Sequence, residues 1–127
     1  MRIRGWWLFV GVVGCGGGTV TVPMTQINNS GENGTAVLKD VGGGRTEVTI
    51  TLTPGTDTGM QAVHIHNTSD GTCPGLLDIF QGLNPLIDGG SDTTINVKLS
   101  DLQGKKYVIN AHNSVTFTTY VSCGPIP

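Results

Sequence analysis

Charged and aromatic residues are scarce in this chain. Only 13% of its 127 residues are charged and only 6% are aromatic, whereas 20 are glycine. No segment carries the apolar period of an amphipathic helix, so the pattern does not predict a helical protein. Threonine and valine recur in alternating runs between glycine-rich turns, which is typical of an all-β protein. The length predicts one domain with its own core.

Long apolar runs are also absent. The longest, Gly5 to Gly14, is too short for a transmembrane helix and has the length of the apolar part of a signal peptide. Met1 to Arg4 supplies the basic residues that precede such a segment. The run ends in Val12-Val13-Gly14-Cys15, which resembles a bacterial lipobox. That resemblance implies cleavage before Cys15 and a lipid on its sulfur. The alternative is an ordinary export signal that is cut nearby.

Basic residues are outnumbered once the signal is removed. Arg2 and Arg4 leave with it, so five of the seven basic residues remain against nine acidic ones, and the mature formal charge is −4. This balance does not favour nucleic acid as a partner. We expect an exported bacterial lipoprotein at the extracytoplasmic face of the cell envelope, which meets the membrane through the lipid on Cys15.

Cysteine is limited to three residues, an odd number for an exported chain. Assigning Cys15 to the lipid leaves Cys73 and Cys123, and we predict that these two form a disulfide. The bond would close a loop of about 50 residues, which the chain-entropy model values at about 4 kcal/mol.

The chain divides into three predicted parts. Residues 1–14 form the signal peptide, residues 15–34 a lipid-anchored tether whose glycine-rich first part is flexible, and residues 35–127 the β domain. Within the β domain, a long loop over residues 76–90 leaves room for one short strand. Six strands are predicted at residues 35–41, 46–52, 60–66, 91–99, 106–112 and 117–122.

Histidine is limited to three residues as well. His64 and His66 alternate with Val63 and Ile65, so the two imidazoles share the face opposite the core, with Cα atoms roughly 6.5–7 Å apart. Loops can cover that face. His112 lies in another predicted strand and completes a trio if the two strands lie face to face. Imidazole is a ligand for zinc, copper, iron and nickel.

The order of these features resembles the copper–zinc superoxide dismutase family over roughly residues 35–126. The matching elements are a His-x-His strand, a cysteine shortly after it, a long loop, a late strand histidine and a C-terminal cysteine. The resemblance implies a Greek-key β-sandwich or barrel. It also implies three copper ligands and a disulfide that ties the active-site loop to the barrel. The implied ligands are His64, His66 and His112, and the implied disulfide joins Cys73 and Cys123.

Two positions depart from that family. No histidine lies between His66 and His112, so the bridging histidine and the zinc-loop histidines of the family are missing and its zinc site cannot form. Tyr120 stands three residues before the last cysteine, where the family has an arginine that attracts superoxide. The His-Ile-His strand is also similar, more vaguely, to chordin-type domains of extracellular bacterial proteins.

These observations leave several functions open. The first is an extracytoplasmic copper-binding protein of the superoxide dismutase type, with superoxide as substrate. The second is a copper sequestration or delivery module without turnover, which exchanges metal with a donor or acceptor. The third is a structural β-sandwich without metal. Zinc is the alternative metal, since three histidines and a water also form an open zinc site. The missing histidine and arginine place copper binding ahead of enzymatic turnover.

Overall fold

The domain is built from antiparallel β-strands. The computed structural model describes residues 17–53, 55, 57–116 and 118–127. Within them lie eight strands and one short helix, α1, which confirms the predicted all-β class. In chain order the elements are β1 (Thr19–Gln26), β2 (Gly34–Gly42), β3 (Arg45–Leu52), β4 (Val63–Asn67), β5 (Ile79–Gly82), β6 (Gly90–Ile95), α1 (Leu99–Leu102), β7 (Tyr107–His112) and β8 (Tyr120–Pro125).

All eight strands belong to one sheet in the order β5-β4-β7-β8-β1-β2-β3-β6. Every neighbouring pair is antiparallel. The sheet is open and strongly curled, so that it forms a half-barrel with β5 and β6 as its edges. This order brings β4 and β7 together although about 40 residues separate them in sequence.

The loop after β5 connects the two edges of the sheet. The N–H of Leu83 donates to the carbonyl of Val63 in β4 at 3.1 Å. The next residue, Asn84, donates its backbone N–H to Thr93 Oγ1 and its side-chain Nδ2 to the carbonyl of Asp92, both at 2.8 Å, and both partners lie in β6. The curl of the sheet therefore brings its two ends within reach of one short loop.

The core occupies the concave side of the sheet. In β3, for example, Val48, Ile50 and Leu52 are buried, whereas Thr49 and Thr51 between them are exposed. This alternation follows from the two-residue period of a strand with one face in water. Other strands contribute in the same way, and the buried cluster includes Val22, Met24, Ala36, Leu38, Val63, Ile65, Ile109, Ala111, Val121 and Ile126.

Within the predicted tether of residues 15–34, residues 19–26 form a strand of the sheet instead. Thr19–Gln26 forms β1, which pairs with β2 and β8 and lies in the middle of the sheet. Val22 and Met24 are buried at 0% and 2% exposure. Pro23 obscures this alternation, because proline inside a run argues against a strand. The predicted signal peptide and the lipidation at Cys15 lie outside the described residues.

Three other predicted boundaries also need correction. The strand predicted at 91–99 ends at Ile95 and is followed by α1, in which Leu99 and Leu102 both reach the core. The predicted strands 60–66 and 117–122 begin later, at Val63 and Tyr120. A short strand, β5, does occur in the predicted long loop. No helix among the described residues has the length and hydropathy needed to cross a membrane.

Candidate metal centre

Strand β4 carries two histidines on the face opposite the core. Val63 and Ile65 are buried in the core, so His64 and His66 project from the other side, as predicted. The neighbouring strand β7 ends in His112, whose backbone N–H donates to the carbonyl just before β4. Antiparallel pairing of two distant segments thus brings all three histidines together.

The three imidazoles form a tight cluster. One potential ligand atom from each of His64, His66 and His112 lies within 4.8 Å of the other two. The ring centroids are 4.9 to 5.7 Å apart. Zinc binds imidazole nitrogen at about 2.0–2.1 Å, so two nitrogens on one such ion lie about 3–4 Å apart. The cluster therefore needs only small ring movements to bind one ion.

His66 has one ring nitrogen in a hydrogen bond and one without a partner. Its Nδ1 lies 2.8 Å from the carbonyl oxygen of Leu76, and because a carbonyl only accepts, this nitrogen is the donor. The lone pair of the neutral ring is then on Nε2. That atom is buried and has no hydrogen-bond partner among the described residues. A histidine that donates one N–H to a carbonyl and keeps the other nitrogen free is the usual form of a metal ligand.

His64 and His112 face each other directly. His64 Nδ1 and His112 Nε2 are 3.1 Å apart, which is a hydrogen-bond distance between two ring nitrogens. Partial burial lowers the pKa of His64, and the nearby His112 and His66 lower it further. The neutral form is the one that binds metal, so the surroundings of His64 favour ligation.

A loop covers the outer face of the sheet above His66. It runs from β4 to β5 and is bonded to the sheet by the predicted disulfide Cys73–Cys123, which is confirmed with a Cα–Cα distance of 6.1 Å. Beside the disulfide, Asn110 Nδ2 donates to the carbonyl of Pro74 at 2.6 Å. The carbonyl of Leu76 then reaches His66. The disulfide thus holds the loop that orients one potential ligand.

A buried polar pair, Gln61 and Glu32, is hydrogen-bonded to the backbone of His112. Gln61, with 1% exposure, donates from Nε2 to Glu32 Oε1 at 2.8 Å and to the backbone carbonyl of His112 at 3.3 Å. Glu32 is equally buried. Burial raises the pKa of Glu32, the hydrogen bond from Gln61 partly offsets that rise, and the charge of Asp57 adds to it. The segment before β2 is therefore linked to the end of β7.

Tyr120 packs against two of the histidines. Its ring lies edge-on to His112, with centroids 4.8 Å apart, and to His66, with centroids 5.9 Å apart. The register explains this contact, because His112 and Tyr120 are paired across β7 and β8. In the family that the sequence resembles, this position is an arginine. Here Tyr120 presents a phenol ring to the cluster instead.

The structure brings together every histidine predicted for the site. His64, His66 and His112 form the cluster, and the two predicted disulfide cysteines are bonded nearby. Sequence reasoning missed Gln61, Glu32 and the carbonyl of Leu76. Glu32 lies between glycine and asparagine, where no local pattern marks it as a buried residue. A backbone carbonyl cannot be recognised from the sequence, because every residue has one.

Comparison with known proteins adds no relative: no family model, no curated protein and no solved structure matches this chain.

Proposed function

We propose that this protein holds one metal ion on His64, His66 and His112, and that the ion is copper. The observation that carries the proposal is the buried Nε2 of His66, which has no hydrogen-bond partner among the described residues. An unsatisfied buried polar atom costs about 1–3 kcal/mol. One ring nitrogen from each of the other two imidazoles lies within 4.8 Å of a ring nitrogen of His66. A metal bond would remove that cost and use all three nitrogens.

Copper is preferred to zinc on two grounds. Copper(II) binds a given set of nitrogen ligands more tightly than zinc does. The resemblance to copper–zinc superoxide dismutases also assigns the three histidines to copper. When bound, copper would supply one-electron redox chemistry. Zinc remains the chemical alternative because three histidines and a water form an open zinc site.

The function we propose is extracytoplasmic copper binding, for sequestration or delivery. The chain has no counterpart of the family's bridging histidine. Tyr120 replaces the arginine that would attract an anion, and its ring contacts two of the ligands. Each difference removes a feature that fast superoxide turnover uses, whereas the three histidines of the cluster remain.

Superoxide dismutation is the second candidate. The observation in its favour is the exposure of His64, which is only half-buried and leaves one side of the cluster open to a small ligand. A Greek-key, superoxide dismutase-like arrangement belongs to the same proposal. It is supported by the strand order, in which β7 lies beside β4 although β5 and β6 come between them in the chain.

An extracytoplasmic location is supported by the disulfide Cys73–Cys123, since such bonds persist in oxidising compartments. We further propose that Cys15 carries a lipid that attaches the protein to the membrane. Replacing Cys15 with Ser should release the protein from membranes or block its processing. Unchanged membrane association and unchanged mature mass would contradict the lipid anchor without affecting the metal proposal.

Copper titration of the purified domain tests the central proposal. Cu(II) should bind in a 1:1 ratio and give an electron paramagnetic resonance spectrum with nitrogen hyperfine structure. The changes His66→Ala and His112→Ala should each weaken binding by about 100-fold or more, because each removes a ligand. Tyr120→Phe is the matched control, since it keeps the ring contacts with the site and removes no ligand.

Three results separate the candidates. Unchanged affinity and spectrum in His112→Ala would exclude the three-histidine site. Normal copper binding without acceleration of superoxide decay would support sequestration over dismutation. Elemental analysis of protein purified from its own compartment identifies the bound metal. Finding zinc and no copper would show that the site binds zinc.

A further inference from the structure

The three histidines differ in how well they are covered. His66 and His112 are buried at 2% and 5% exposure, whereas His64 is only half-buried. The loop that ends at Leu76 covers His66, and the ring of Tyr120 lies against both His66 and His112. The open side of the cluster is therefore the side on which His64 lies.

The edge strand β5 explains this difference. Ile79 pairs with His66, and Gly82 pairs with His64. Directly paired residues of antiparallel strands present their side chains on the same face, with Cβ atoms about 4.5–5.5 Å apart. Gly82 therefore places no side chain beside His64, whereas a register irregularity between Ile65 and His66 separates this pair from the pairing of Ile79 with His66. Among the described residues no further strand lies beyond β5 in the sheet order, so none of the described strands covers this side.

The space beside Gly82 is empty. A Cβ built on Gly82 would meet no atom of the described residues within 4 Å, and its backbone does not have the positive φ that requires glycine. Neither a tight turn nor a close contact therefore demands glycine at this position. What the missing side chain does provide is a gap on the face of the sheet that carries His64.

We propose that the gap at Gly82 is the entrance through which metal ions and small exogenous ligands reach the three histidines, and that the absence of a side chain at residue 82 keeps it open. This inference rests on the proposed metal function and specifies its ligands. They are small donors that approach the metal from the side of His64, with inorganic anions such as azide as the probe. Larger chelators compete for the metal only after it moves outward through the same gap.

A side chain at residue 82 should slow the passage of metal ions and small exogenous ligands without changing the three histidines that bind the metal. In Gly82→Val, copper affinity at equilibrium and the nitrogen hyperfine pattern should stay within about twofold of the wild type, because a barrier slows entry and exit alike. Removal of copper by excess EDTA, followed by stopped-flow absorbance, should slow by about tenfold or more, and azide should bind more slowly. Gly82→Ala should give an intermediate rate.

Gly90→Val is the matched control. Gly90 begins β6, at the opposite edge of the same sheet, and is also exposed without a positive φ. An added Cβ there meets its nearest atom at 3.8 Å. This variant makes the same chemical change on an edge strand, and it should leave both the EDTA and the azide rates unchanged.

The outcomes separate this inference from the proposed function. If the wild type binds no metal, the proposed function fails. If the wild type and Gly82→Val both bind copper but exchange it at the same rate, the entrance lies elsewhere and the inference is wrong. Loss of equilibrium copper binding in a folded Gly82→Val protein would also overturn it, because residue 82 would then support the ligands themselves.

Discussion

The Nδ1–H of His66 donates to the backbone carbonyl of Leu76 across 2.8 Å, and this bond connects a potential metal ligand to the loop above it. It determines which nitrogen of the ring is free. No side-chain substitution at Leu76 removes it, because the acceptor belongs to the backbone. A movement of the loop would break it, and the disulfide Cys73–Cys123 restrains that movement.

Removing the disulfide should therefore affect both stability and the site. In the double variant Cys73→Ser/Cys123→Ser, we expect the free energy of unfolding to fall by about 2–5 kcal/mol, because the unfolded chain regains the entropy of the closed loop. Denaturant unfolding measures the loss. Amide hydrogen exchange should rise first at residues 68–76. Equal exchange in this loop with and without the disulfide would contradict its role as a restraint.

Replacing Gln61 with leucine should destabilise the protein. Gln61→Leu leaves the buried carboxyl of Glu32 and the carbonyl of His112 without their donor. We expect a loss of about 1–3 kcal/mol in the free energy of unfolding, measured with urea. Gln81→Leu is the control, since the side chain of Gln81 donates to the adjacent carbonyl of Gly82 on the edge strand. Similar losses in both variants would argue against a special role for Gln61.

Glu32 should make the protein less stable as the pH rises. Burial, the largest effect, raises its pKa in the folded state above the ordinary value of 4.5. The folded protein then holds the proton more tightly than the unfolded chain, so the stabilising contribution is complete below about pH 4.5 and is lost as the pH rises through the raised pKa. Glu32→Gln keeps an acceptor for Gln61 and removes the titration.

The difference between wild type and Glu32→Gln isolates this effect. Asp57 titrates in the opposite direction: burial alone would raise its pKa, but hydrogen bonds from Ser114 and Gly59 outweigh burial and lower it. That contribution is present in both proteins and cancels apart from the charge interaction between Asp57 and Glu32. Urea unfolding between pH 4 and pH 8 should show the wild type losing stability relative to the variant as the pH rises. A difference in stability that does not change with pH would mean that Glu32 has the same pKa in the folded and unfolded states.

Strand β1 should be necessary for folding. Met24→Ala removes a side chain with 2% exposure from the core, and we expect a loss of about 2–5 kcal/mol. Thr21→Ala is the control on the same strand, because Thr21 is exposed and should change stability by less than about 1 kcal/mol. Thermal or urea unfolding measures both. A negligible effect of Met24→Ala would restore the prediction that this segment is a tether.

Local alternation predicted the strand of the site well. The apolar positions 63 and 65 require the core face, so His64 and His66 had to share the other face, and the structure agrees. The cysteine count, with Cys15 assigned to a lipid, identified the pair that is bonded. These predictions succeeded because each depends on a neighbour in the sequence or on a count. Local alternation failed for β1, where Pro23 masks a pattern that pairing on both sides stabilises.

The sequence by itself determined an all-β chain, the face on which two histidines lie and the cysteines available for a disulfide, because a two-residue period and a residue count are properties of the chain. Tertiary structure alone decided that β7 lies beside β4, that Gln61 reaches Glu32 and His112, and that a carbonyl orients His66. Those contacts join residues 10 to 51 positions apart or use backbone atoms common to every residue. No local pattern encodes such contacts, so they form only when the sheet curls and its core packs.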